Sequence, residues 1–257
     1  MKINPAPIEI NKDYINNIDI NGMSGRHIRL TPKHPASSQI IIFGGFLSSA
    51  EKHFGLLEYL RDYGTVNYLD LPGYGGMDSF YSIDQDSTVD NYGDYIYSVL
   101  KTLRLKGRPT IIALGSSIEY VNNLVSRYPT VASRSKEVLW IKGIDAVVNG
   151  GSRTSNSALL RLASKKRTVN RMLYKRLIGN TEGSDLKPNE IQLFEHLISA
   201  NDLRSHLSAL RGYKTGLGLN AKIVDVHLNA AYKNFKLYDK IDISELLGSN
   251  FENAIDA

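Results

Sequence analysis

Two adjacent hydroxyls raise the first chemical question. Gly115-Ser116-Ser117-Ile118-Glu119 comes within one residue of the G-x-S-x-G spacing. In that pattern a tight strand-to-helix turn lifts a serine hydroxyl above a sheet, where it can attack an acyl carbonyl. The offset within the turn favours Ser117 as the nucleophile, with Ser116 as its rival or as a substrate contact. The final glycine of the pattern is Glu119 here, which puts a carboxylate at a first helical turn, where it could hydrogen-bond a substrate. A serine hydroxyl needs a base within hydrogen-bond reach, and the oxyanion it creates needs donors. The histidines available stand at 27, 34, 53, 196, 206 and 227.

The elements around the turn are legible in the hydrophobic pattern. Ile111-Ile112-Ala113-Leu114 is an uninterrupted apolar run, as expected of a strand buried on both faces. Val121, Leu124 and Val125 then recur at helical spacing until Tyr128-Pro129 stops the helix. Upstream, Ile8 to Ile20 and Arg26 to Thr31 read as a leading hairpin around the turn-rich stretch Asn21 to Gly25. Gln39 to Phe43 is a strand ending in Gly44-Gly45, followed by a helix through Phe54, Leu56, Leu57 and Leu60. Thr65 to Leu69 is a strand running into the glycine-rich loop Asp70 to Asp78, and Val89 to Leu105 supplies the next helix. Glu137 to Ile144 is a further strand. Strands alternating with helices in this way predict an α/β fold with a mostly parallel, doubly wound sheet. From Gly150 to Tyr213 helical patterns replace the strands. The expectation is a helical lid over 150–213 inserted into a core of 1–149 and 214–257, with strands resuming at Ala221 to Leu228 and Phe235 to Ile241.

Composition narrows the chemistry. The 257-residue chain has no cysteine, so disulfides, thiolate metal sites and cysteine nucleophiles are excluded. The histidines show neither HxH nor HExxH spacing, and no metal or cofactor is expected. No signal-like segment and no membrane-length apolar run is evident, which points to a cytoplasmic protein. Neither a phosphate-binding G-x-x-x-x-G-K-S/T nor a G-x-G-x-x-G occurs, and no nucleic-acid or membrane motif is evident. The net charge of +5 is modest, but Arg153, Arg161, Lys165, Lys166, Arg167, Arg171, Lys175 and Arg176 fall together with no acid between them. That stretch of the lid could meet an anionic partner, although the simpler reading is the solvated face of helices. Oligomeric state is not encoded in any feature of the chain.

Taken in series, Phe43-Gly-Gly-Phe46, Asp70-Leu-Pro-Gly-Tyr-Gly-Gly-Met-Asp78 and Gly115-Ser-Ser-Ile-Glu119, each following a strand, resemble the α/β-hydrolase fold family. Residues 39 to 145 carry the resemblance, and it extends more loosely through the lid. The resemblance implies Ser117 as nucleophile, with main-chain N–H groups of Ile118 and of Gly45 or Phe46 forming the oxyanion hole. The residue two after the nucleophile is usually glycine in this family, because the helix start lies close against a neighbouring strand. Gly44 stands where the family usually has histidine. The acid is expected after the strand that follows the lid, where Asp225 is available from within the strand, with Asp145 as the alternative. The family's base follows the last strand, but no histidine occurs after His227, which leaves His227 as the candidate. An edge-strand histidine without a catalytic role is its simpler reading.

Two functions follow. One is a serine hydrolase acting on an ester, thioester or small amide through an acyl-enzyme at Ser117. The other is a catalytically inactive protein of the same fold that binds a small molecule or a protein partner. Glu119, Gly44 and the missing late histidine weigh toward the second.

Overall fold

The computed structural model describes residues 10–45, 48–142, 205 and 222–225. They form a seven-stranded sheet in the order β1-β2-β4-β3-β5-β6-β7, made of Ile15–Ile20, Met23–Leu30, Gln39–Phe43 (β3), Thr65–Leu69 (β4), Thr110–Leu114 (β5), Glu137–Lys142 and Lys222–Asp225 (β7). The first two strands are antiparallel to each other and β2 is antiparallel to β4. Every other pairing is parallel. The mostly parallel sheet and the leading hairpin thus match the expectation. The hairpin turn is tighter than the turn-rich stretch suggested. Asn21 and Gly22 both have positive φ, 55° and 81°, as a two-residue turn of the right twist requires, so Met23 to Gly25 already belong to β2.

Parallel strands alternate their side chains between two buried faces. Ile40 and Ile42 of β3 and Ile112 and Leu114 of β5 join one core with Leu56, Leu57 and Leu60 of α1 (Ala50–Leu60). Ile41, Phe43, Ile111 and Ala113 face the other core, against Tyr92, Ile96 and Val99 of α2 (Val89–Leu103) and Val121 and Leu124 of α3 (Ser117–Arg127). A fully buried isoleucine contributes about 1.5–3 kcal/mol, so these two layers dominate the stability of the core. Ser49 and Thr88 cap α1 and α2 by accepting the amides of Lys52 and Asn91, which sets where each helix starts. A short α4 (Pro129–Arg134) leads into β6.

The strand order reverses at β3. The chain steps from β3 outward to β4, then crosses back to β5 on the other side of β3. At such a switch point the loops after the two neighbouring strands diverge to opposite faces and leave a crevice at the carboxyl ends, where ligands bind in open α/β sheets. In this strand order the rule points to the loops that follow Phe43 and Leu114. Apart from Ser205, the expected lid, its basic stretch and the strand expected at Phe235 to Ile241 lie outside the described residues.

Candidate functional site

The turn from β5 into α3 takes one residue of special backbone. Gly115 has φ +53°, whereas Ser116 is already helical at φ −67° and ψ −17°, and Ser117 opens α3. Ser117 is fully buried, and its hydroxyl reaches two main-chain carbonyls: Phe43 O at the end of β3, 2.9 Å away, and Leu114 O at the end of β5, 3.0 Å away. Its single proton has two acceptors and no imidazole among its partners in the described residues. The amide of Ile118 donates to Gly115 O at 3.4 Å and that of Glu119 to Ser116 O at 3.2 Å, so both are engaged in the first turn of the helix. Ser116 is 2% exposed. Glu119 is 9% exposed, and burial raises the pKa of its carboxyl above the ordinary range.

On the β3 side, Gly44 and Gly45 are buried at the strand end. A Cβ built on Gly44 would lie 2.5 Å from both Ser48 Cβ and Tyr68 Oη, so no side chain fits there. The space is taken by Ser48 and Tyr68, and Ser48 Oγ forms a polar pair not foreseen from sequence with His53 Nε2, 2.9 Å away, both residues being fully buried. Burial, then the charge of Lys52, holds the His53 pKa well below that of a free imidazole. Burial, then the carboxylates of Asp70 and Glu51, pushes Tyr68 well above its ordinary value. A serine followed five residues later by a histidine across a helix start was the only sequence signal for the pair.

The third loop is held by charge. Asp70, at the end of β4, has a fully buried side chain and accepts from Arg26 Nη2 at 3.0 Å, while Arg26 Nη1 meets Glu51 at 2.6 Å. Arg26 Nη2 also donates to Gly75 O at 2.5 Å, which ties the glycine-rich loop to β2. Tyr74 from this loop shares a 3.0 Å hydrogen bond with Tyr120 of α3, and Tyr120 stacks on Tyr92 with centroids 4.2 Å apart. These aromatic contacts fix the loop against α3 and make these tyrosines core residues.

Asp225 ends β7, pairing with Lys142 of β6, so its backbone stands at the carboxyl edge of the sheet. Asp145, His227 and Phe46 lie outside the described residues. No group of acids and histidines suited to a metal ion occurs among the described residues, nor does any helix long and apolar enough to cross a membrane.

No protein-family profile and no curated protein matches the chain. Solved structures do. A variant of the N-acyl homoserine lactonase AidH superposes with a TM-score of 0.56 at 14% identity, covering 82% of this chain and 77% of that one. The haloalkane dehalogenase DatA from Agrobacterium tumefaciens gives 0.55 at 18% identity, covering 77% and 66%. A crystal structure of a membrane phospholipase A, described as a bacterial virulence factor, gives 0.52 at 14% identity, covering 77% and 62%. With its strand order and these neighbours, the chain has the α/β-hydrolase fold.

Proposed function

We propose that the chain acts on small acyl compounds, an ester first and a thioester or small amide next, held in the crevice above the ends of β3 and β5. One observation carries this reading. The strand order reverses at β3, and the parallel pairing of β3 with β5 sets the end of β3 beside the turn after Leu114, where the Ser117 hydroxyl reaches Phe43 O. Hydrolase neighbours of the same fold lend it further support.

Hydrolysis through an acyl-enzyme is its direct form. The Ser117 hydroxyl would add to the carbonyl as His227 takes its proton, with Asp145 or Asp225 orienting the imidazole. The oxyanion would rest on the amide of Ile118 and on that of Gly45 or Phe46. The proton then leaves with the alcohol, thiol or amine, and water releases the acid. Ser116 and Glu119 would line the substrate. Binding without acyl transfer is the second form, and the position of Ser117 favours it, because its hydroxyl is buried and engaged with two carbonyls. A fluorophosphonate probe, applied together with turnover of a panel of p-nitrophenyl esters, separates the two. Labelling and turnover that vanish in Ser117→Ala support the acyl-enzyme. A folded wild type that neither labels nor turns over supports binding.

A further inference from the structure

We infer that the elbow's frame is set two residues earlier than its serines suggest, so that Gly115 occupies the position of the nucleophile and Ser117 that of the small residue packed against β3. The inference deepens the second form above and rests on the acyl-compound site proposed there.

Three observations converge on this frame. An elbow is a sharp turn whose apex residue bears the backbone strain. The one positive φ between β5 and α3 belongs to Gly115, whereas Ser116 and Ser117 have continued into the helix. A position of positive φ is where glycine is at ease and any other residue is held by its surroundings. Second, the residue two beyond the apex must be small where a helix start abuts a neighbouring strand. Ser117 meets that description: it is fully buried, with its hydroxyl 2.9 Å from the last carbonyl of β3. Third, the frame Ala113-Leu114-Gly115-Ser116-Ser117 has a small residue at each end. It also moves Glu119 out of the position where a glycine would be needed and onto the next part of α3, and so removes the one residue that did not fit the pattern.

The consequence is chemical. An apex without a side chain offers no hydroxyl, and that of Ser117 points into the main chain. The native site therefore holds an acyl ligand without forming a covalent intermediate. The N–H of Ile118 is directed at Gly115 O, as an amide inside the first turn of the helix and not as a donor beside the apex.

The absence of cysteine gives a clean background for the test. Single variants Gly115→Cys and Ser117→Cys, each checked for folding by circular dichroism, are treated with methyl methanethiolsulfonate. The expected result is modification at least tenfold faster at position 115 than at 117, with no fluorophosphonate adduct on the wild type. Equal rates, a faster rate at 117, or a wild-type adduct mapped to Ser117 overturns the inference. Should Gly115→Cys not fold, the wild-type adduct and the Ser117→Cys rate, compared with that of the unfolded chain, decide it. Protection of the thiol in the Gly115→Cys variant by short-chain acyl esters reports separately on the site. Loss of protection with the rate ratio intact refutes the acyl-compound reading and leaves the frame standing.

Discussion

Replacing Arg26 by methionine should destabilise the protein by about 3 kcal/mol, because it strands a buried carboxylate. The guanidinium lies between Glu51 and Asp70, with contacts of 2.6 and 3.0 Å, and Asp70 has no exposed side-chain surface. Burial alone lowers the Arg26 pKa, but the hydrogen bonds and charges of Glu51 and Asp70 more than offset it and leave the group above its ordinary value. Breaking a buried pair by removing one partner costs about 3–5 kcal/mol, since the remaining charge keeps its desolvation penalty without its compensation. With 22% of the Arg26 side chain and 14% of Glu51 exposed, water can relieve part of that, which places the expectation at the lower end. At a urea dependence of about 2–3 kcal/mol per molar, the unfolding midpoint should fall by about 1–1.5 M. Arg26→Met combined with Asp70→Asn should recover part of the loss by removing the stranded charge. A single variant within about 0.5 kcal/mol of wild type, or a double variant no more stable than the single, refutes the reasoning.

Gly75→Ala should cost about 2 kcal/mol or more, because its φ is +56° and the new Cβ would overlap the Asp70 carboxylate. Gly107→Ala, at φ +78° in open space, should cost only about 1 kcal/mol, and paired thermal melts test the contrast. His53 has a depressed pKa in the folded state, so below the ordinary imidazole value of 6.5 the unfolded chain binds a proton that the folded one does not. Stability should therefore fall as pH drops below about 6.5, and His53→Gln should flatten that slope in urea titrations; His27, shifted the same way, keeps the remainder. Glu119 has the opposite sign. Its raised folded pKa adds stability at low pH that is lost as pH rises through the carboxylate range and above, so Glu119→Gln should lose that pH dependence.

The order of strands and helices was written in the chain itself. Uninterrupted runs such as Ile40 to Phe43 and Ile111 to Leu114, short and β-branched, read as strands covered on both faces, and the helical spacing of Val121 and Leu124 marks the helix that follows the second of them. Period and burial are local properties, so local sequence suffices for them. The ion cluster was not readable in this way, because Arg26 and Asp70 are 44 positions apart and meet only once β2 pairs with β4. The same holds for the pocket that excludes a side chain at Gly44, which is closed by Tyr68 of β4 together with Ser48 of the same loop. At the elbow, Gly115-Ser116-Ser117 showed that a turn with hydroxyls stands at the end of β5. Which of the three bears the positive φ, and which hydroxyl is turned toward the last carbonyl of β3, depended on how closely α3 approaches a strand 74 residues earlier in the chain. Backbone strain and interstrand distance are properties of the packed sheet, and only the tertiary structure decides them.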